Sequence, residues 1–443
     1  MLRTFKGGIH PHYMKSPEVP ETVIPAPDQL VIPLVQHIGA ACEPVVAVGD
    51  YVKMGQKIGD STAPVSAPVH SSVSGKVIAI ENRRHPMGND VLCVIIENDH
   101  QDTPCTDLAP LTAEELKDPE KILQRIRDAG IVGMGGAAFP TAFKLKSGLG
   151  KVDTLIINGA ECEPYLNGDH LTMLNYSTEV SKGIELARIA CGLDKAYYGI
   201  EVNKKDAIEK FKSLSPEKYG VEIVPEKVKY PQGAERLQVY AITGRRVKSG
   251  GIPSGVGCNV ISTRTVYAIY KACYEGVPCY ERIVTYAGSA IKAPVNALTR
   301  VGTPFSHIAQ CIGGFIHEPK KIVLGGPLMG ICTTSLACPT IKGLSGLLFF
   351  THLEEKNISD PNCIRCGRCI QACPMRLEPI FMYMYYRKGD YDTMDRYHVK
   401  DCFECGSCSY VCPARLPLTH SFRTAKNVLW QREQERKEKN DGK

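Results

Sequence analysis

Cys363-Ile-Arg-Cys366-Gly-Arg-Cys369-Ile-Gln-Ala-Cys373-Pro374 recurs downstream as Cys402-Phe-Glu-Cys405-Gly-Ser-Cys408-Ser-Tyr-Val-Cys412-Pro413. Both copies read C-x2-C-x2-C-x3-C-P. Three thiolates on one tight loop can cap three irons of a cubane, while the fourth, carried on a helix, reaches the neighbouring cluster. By that rule Cys363, Cys366, Cys369 and Cys412 hold one 4Fe-4S cluster, and Cys402, Cys405, Cys408 and Cys373 hold the other. Gly367 and Gly406 suit the tight turns, and Ile364, Ile370, Phe403 and Val411 can supply an apolar shell. Zinc sites favour paired C-x2-C knuckles at longer separations, so the repeat points to iron–sulfur chemistry instead. Two one-electron centres side by side form a wire, which requires a redox partner at each end.

Outward from the repeat, the chain has 443 residues, 43% apolar and 23% charged, the make-up of a multidomain globular protein. The longest apolar runs, such as those at 346–350 and 91–96, are far shorter than the ~20 residues a membrane-spanning helix needs. No span is expected. The N-terminal residues have no apolar core or cleavage site of a secretory signal, so the cytoplasm is the default compartment. There, nineteen cysteines are more often metal ligands than disulfides. The net charge of +6 is spread out, leaving no nucleic-acid footprint.

The organisation expected is mixed α+β and α/β. Residues 1–105 alternate short apolar runs with turns and read as a β domain. Within it, 45–56 and 69–78 resemble the halves of a biotinyl- or lipoyl-type barrel-sandwich. The intervening tip, Ala63-Pro-Val-Ser-Ala-Pro68, has no lysine to carry a swinging arm. Residues 118–255 alternate helices (120–129, 171–191, 204–214) with strands (153–158, 196–202), which predicts a layered α/β domain. A small module follows at 275–335, with strands near 284–287 and a helix at 305–312. The cluster domain covers 352–425, and 426–443 is a charged tail. His10 and His12 read as loop histidines.

Gly130-Ile-Val-Gly133-Met-Gly135-Gly136-Ala137-Ala-Phe139-Pro-Thr141 contains G-x-G-x-x-A. A dinucleotide fingerprint must follow a strand, and residues 122–129 before it are helical, so the standard Rossmann reading fails. The physical alternative is a glycine-lined surface where backbone approaches a flat ring or phosphate, with Lys144 nearby to meet negative charge. Asn158-Gly-Ala-Glu161-Cys-Glu163-Pro164 places an amide and two carboxylates just past a strand end, where ligands bind in α/β sheets.

Residues 133–144 and 158–164 resemble the flavin loop and acidic loop of the NADH-oxidising flavoprotein subunit of respiratory complex I. Tyr230-Pro-Gln-Gly233-Ala-Glu235 is similar to that family's third flavin segment, with Ala234 where an acid is usual, and Ser262-Thr263 stands in place of its asparagine pair. Phe5-Lys-Gly-Gly-Ile-His-Pro11, Gln36-His-Ile-Gly39, Ser66-Ala-Pro-Val-His-Ser71, Ile96-Glu-Asn98 and the domain order closely resemble the C-subunit family of Rnf electron-transport complexes.

That resemblance implies non-covalent FMN under an NAD(H) site. Its contacts would be Gly133, Gly135, Gly136, Ala137, Phe139, Lys144, Asn158, Glu161, Glu163, Tyr230, Gly233, Glu235, Ser262 and Thr263, with Glu161, Glu163 and Lys144 closest to the chemistry. It also implies a β-grasp module of the soluble-ligand-binding type at 275–335 and a two-cluster ferredoxin-type domain. The partners would be the other subunits of a membrane-bound ferredoxin:NAD+ oxidoreductase, with ferredoxin reached indirectly and the chain peripheral on the cytoplasmic face. The alternatives are a soluble cobalamin reductase, which shares the flavin and cluster modules, and a cluster relay without NADH chemistry.

Overall fold

The computed structural model describes residues 2–15, 21–136, 138–351 and 362–441. Ala137 and the stretch 352–361, where the cluster domain was expected to begin, lie outside them. The N-terminal β domain forms two small sheets. One has the strand order Gln29–Pro33, Asp90–Asn98, Gly75–Arg84, Tyr51–Val52; the other is Glu43–Pro44, Lys57–Asp60, Val69–His70. Alternation turns Leu30, Ile32, Val52, Ile58, Val69, Val77, Val94 and Ile96 into one shared core, as expected of strands with one face buried.

The first residues do not join this barrel. Arg3 bridges to Glu226 and Ile9 to Tyr230 of the α/β domain. The backbone donors of a segment before the first strand need partners, and these residues find them on another domain.

The α/β domain is built on a four-stranded parallel sheet in the order Val221–Glu226, Ala196–Glu201, Thr154–Gly159, Cys258–Ser262. Its strands are covered on both faces: Leu155 and Ile157 point into one core and Ile156 into another. The glycine loop follows the helix Pro119–Asp128, so it is not a strand-to-helix fingerprint turn. The helix expected at 171–191 is two, Gly168–Asn175 and Ser177–Ala190. Tyr176 leaves helical geometry between them (φ −126°, ψ 35°), and its hydroxyl donates to the Glu21 carboxylate at 3.0 Å.

The third module is a six-stranded mixed sheet, larger than residues 275–335. Its order is Glu21–Val23, Val295–Arg300, Glu281–Ala287, Gly346–Phe350, Lys321–Leu324, Ile331–Thr333. Gly346–Phe350 is a central strand, buried throughout. A short, uninterrupted apolar run is what a strand buried on both faces looks like, and it carries no alternation to announce it. Phe305 and Ile308, from the helix Phe305–Cys311, pack onto the same core.

The cluster domain is helical: Arg368–Ala372, Pro379–Arg387, Tyr391–Arg396, Ser407–Tyr410 and Leu418–Asp441. The last helix runs unbroken through the boundary expected at 426, because Phe422, Ala425 and Leu429 share the domain core. Among the described residues, no helix is long and apolar enough to cross a membrane.

At the end of the parallel sheet, Glu226 is buried and accepts hydrogen bonds from Gln238 Nε2 at 2.7 Å and Gln232 Nε2 at 3.1 Å. Burial, reinforced by the nearby Glu201 charge, pushes its carboxyl up from 4.5 to about 8. The folded chain therefore keeps a proton there that the unfolded chain has released. Stability contributed by this group falls as pH rises from about 4.5 to 8. Urea unfolding at the two ends of that window should show a smaller loss of stability in Glu226→Gln than in the unsubstituted protein. An unchanged loss would place the titration elsewhere.

Candidate functional site

Four segments meet at the carboxyl edge of the parallel sheet. The Asn158 amide follows its strand's last turn inward, donating to Gly233 O at 2.7 Å, while Asn158 Oδ1 accepts from Ala160 N at 3.2 Å. The glycine loop is tied down where Met134 N donates to Thr265 Oγ1 at 3.0 Å and Gly133 N to Phe139 O at 2.8 Å. Thr265 lies in turn 2.8 Å from Ser262 Oγ, and a Cβ on Gly135 would sit 3.6 Å from Ser262 Cβ. Lys144 and Glu235 form an ion pair at the rim.

Gly135 and Gly136 are exposed at the mouth of this arrangement. Gly136 has φ +115°, and a Cβ there would meet nothing within 4 Å. The backbone conformation suits glycine, and the space above it is free for a flat ligand to approach main-chain atoms. Thr263 is placed differently from Ser262: it is buried, 2.9 Å from the Tyr198 hydroxyl, and donates to Asn158 O at 3.3 Å. It braces the loop from inside the sheet. Thr265, three residues beyond Ser262, is a contact that the motifs do not include; its position in the first turn of the helix Thr263–Tyr274 is the one signal for it.

The two loop carboxylates are engaged by backbone amides. Glu161 (φ +43°) accepts from Asp169 N at 2.6 Å and His170 N at 3.0 Å, both in the first turn of the helix Gly168–Asn175. Burial alone would raise its pKa, but the charges of Lys15, Arg264 and Lys204 outweigh it and hold Glu161 below the usual range. Lys15 also bonds the Glu161 carbonyl, and Lys204 Nζ donates to Ala160 O at 2.7 Å. Glu163 accepts from Leu328 N at 3.1 Å and Met329 N at 2.9 Å, in the turn after the strand Lys321–Leu324. Burial pushes its carboxyl up, against the pull of those two amides. Both acids are thus held by main-chain amides. Lys15 and Lys204 were not expected at the site, since a lone lysine in a loop or at a strand end carries no spacing signature.

Below these loops the structure brings in the cysteines. Tyr230 OH donates to Cys405 O at 2.6 Å and stands 3.5 Å from a Glu163 oxygen. Ile9, Cys162, Tyr230, Ala372 and Cys405 form one apolar cluster. Cys373 lines a cavity together with Cys402, Cys405 and Cys408, whereas the Cys412 and Cys363 thiols both act on Cys369. Cys405 and Cys408 are buried, while Cys363 and Cys366 are exposed. Burial drives the Cys402 and Cys408 thiols up to about 12, so metal binding must displace protons from them. Among the described residues, no three His, Cys, Asp or Glu side chains converge on a single ion. All-thiolate donor sets on tight turns suit cubanes, whose cysteines each cap a separate iron.

Comparison with known proteins follows the same division. Residues 3–101 match the family model described as the RnfC barrel sandwich hybrid domain, 126–271 the Nuo51 FMN-binding domain, and 355–413 a 4Fe-4S dicluster domain. An NAD+-reducing NiFe hydrogenase of known structure shares the fold, with a TM-score of 0.52 and 19% identity over 68% of this chain and 61% of that one. The C subunit of the "Proton-translocating ferredoxin:NAD(+) oxidoreductase complex" of Clostridium ljungdahlii is 42% identical over 90% of this chain and 88% of its own. The C subunit of the "Ion-translocating oxidoreductase complex" of Rhodobacter capsulatus is 39% identical over 97% and 84%. The C subunit of the "Na(+)-translocating ferredoxin:NAD(+) oxidoreductase complex" of Acetobacterium woodii is 43% identical over 96% of this chain and 97% of its own. With that level of identity running end to end, the chain belongs to the C-subunit family of Rnf-type, ion-translocating ferredoxin:NAD+ oxidoreductase complexes.

Proposed function

We propose that this chain carries electrons between NAD(H) and two cubane clusters as a peripheral subunit on the cytoplasmic face of such a complex, with ferredoxin served through partner subunits. FMN and two 4Fe-4S clusters are its cofactors. The observation that carries the reading is the Tyr230–Cys405 hydrogen bond of 2.6 Å. It joins a loop of the flavin pocket directly to a cluster-ligand segment. Bound flavin supplies the exchange between two-electron hydride chemistry and one-electron transfer, which a cubane alone cannot perform.

The residues divide that work. Gly135 and Gly136 let the ring lie against backbone, Phe139 borders them, and the Lys144–Glu235 pair offers polar contacts at the rim. Asn158 and Gly233 hold two loops at a fixed spacing. Glu161 and Glu163 act as positioning residues: one caps a helix, the other locks the loop to the turn at Leu328. The cluster on Cys373, Cys402, Cys405 and Cys408 is the near one, in contact with the flavin loops. The cluster on Cys363, Cys366, Cys369 and Cys412 is the outer one, facing partner subunits. Ion movement is assigned to those partners.

Three measurements test this reading. Anaerobically purified protein should contain about eight irons and eight acid-labile sulfides, and denaturation should release all of its flavin; zinc in place of iron, or flavin left on the chain, would contradict it. Gly136→Val forces a branched residue into a left-handed conformation, costing about 1–3 kcal/mol of strain, and fills the open surface. Flavin content and NADH-driven ferricyanide reduction should both collapse, while dithionite still reduces the clusters. Cys366→Ala should leave flavin, the near cluster's EPR signal and NADH–ferricyanide activity in place and abolish transfer to the membrane partners. Loss of NADH-driven reduction of the near cluster in that variant would reverse the order of the two centres.

A further inference from the structure

The motif Phe5-Lys-Gly-Gly-Ile lies outside the residues assigned above to flavin, NAD(H) and iron, yet it touches both halves of the electron path. Arg3 N donates to Pro225 O at 3.3 Å, and Lys227 N donates to Arg3 O at 2.9 Å, which continues the sheet edge beyond Glu226. Lys229 Nζ donates to Phe5 O at 3.0 Å and lies 4.6 Å from the Phe5 ring centroid. Ile9 and Tyr230 exchange both backbone hydrogen bonds, at 2.8 and 3.0 Å. One residue earlier, Gly8 N crosses to Ala372 O at 2.9 Å, next to the near-cluster ligand Cys373.

Both glycines are required by close approach. Gly7 and Gly8 have φ +77° and +79°; a Cβ on Gly7 would lie 2.7 Å from Cys373 O, and one on Gly8 2.5 Å from Tyr230 O. Three consecutive residues thus press against a flavin-pocket loop on one side and a cluster-ligand segment on the other. The bonds of Gly8 and Ile9 are backbone to backbone, so no side-chain rotamer can lengthen the span there.

We propose that the N-terminal strap, Arg3 to Ile9, is the positioning element that sets the separation between the flavin and the near cluster. The proposal rests on the electron path described above. In that path NADH would give a hydride to bound flavin and become NAD+. Its two electrons leave singly through the near cluster, each reducing one cubane, and the hydride's proton is released to water. The strap takes no part in the bond changes. It acts through distance alone, because electron transfer through protein slows steeply as the two centres move apart.

The test uses full-length protein carrying FMN and both clusters, mixed with NADH under anaerobic conditions. Flavin bleaching is followed by stopped flow and cluster reduction by freeze-quench EPR. Gly8→Val should keep iron content, flavin content, the EPR spectrum after dithionite, the rate of flavin bleaching and NADH–ferricyanide activity. Its cluster reduction by NADH should slow severalfold, and hydrogen exchange at residues 372–373 should rise. Lys229→Met, which removes the ammonium tether and keeps the stem, should slow the same step less and serves if Gly8→Val does not fold.

Unchanged cluster reduction in a folded Gly8→Val, or in Lys229→Met if the first fails to fold, overturns the proposal. So does loss of cluster iron in both, which would make the strap a cap on the cluster domain. If NADH bleaches the flavin of the unsubstituted protein but never reduces its clusters, the electron path itself is wrong and the strap falls with it.

Discussion

The Tyr230 hydroxyl reaches the Cys405 carbonyl across 2.6 Å, and that contact requires two domains far apart in sequence to behave as one body. A buried phenol without a partner costs free energy, so the loop carrying Tyr230 cannot drift from the cluster segment without exposing or orphaning it. The surrounding groups reinforce the same junction. Glu163 clamps the acidic loop to Leu328 and Met329, and a Cβ at Gly406 would lie 2.8 Å from Leu328 O. The third module therefore touches the near cluster's loop as well.

The two cysteine groups differ in burial, and on the proposed electron path this gives the wire a direction in space. Cys405 and Cys408 are enclosed, in contact with Tyr230 or the helical core. Cys363 and Cys366 are exposed, with Ile364 67% exposed between them. A buried centre exchanges electrons through protein with its fixed neighbour, whereas an exposed one can meet a second protein.

The glycine loop is held from behind by the other two modules. Lys342 is fully buried, and its ammonium donates to Pro68 O and Gly130 O, both at 2.7 Å; burial holds its pKa below the usual lysine range. Gln36 Oε1 accepts from Lys342 N at 2.9 Å, and a Cβ on the next residue, Gly343, would lie 3.2 Å from Ala138 Cβ. The tip that would carry a swinging lysine in a lipoyl-type domain is packed here: Ala67 N donates to His37 Nε2 at 3.0 Å. The barrel serves as a buttress for the pocket, a fixed use of a fold that elsewhere supports a moving arm.

What the amino-acid sequence by itself determined is the chemistry that depends on local spacing. The cysteine repeat points to two cubanes, and to the crossed ligand sets proposed for them, because the reach of a thiolate along a tight loop and one helical turn is short. The glycine run after a helix excludes a dinucleotide fingerprint for an equally local reason. Alternation along strands of the barrel marks its core, since one face meets water. The tertiary structure alone decided where the acids of the loop point, because Glu161 and Glu163 find amides contributed by residues near 169 and 328. It also decided that Glu21–Val23 completes a sheet whose other strands begin at Glu281, that Gly346–Phe350 is a central strand, and that Phe5–Ile9 lies against Cys373. Those pairings join residues that are distant in the chain, by tens of positions for Gly346–Phe350 and by hundreds for Glu21–Val23, and their energies come from burial and hydrogen bonding across the assembled domains, which no local pattern in the chain encodes.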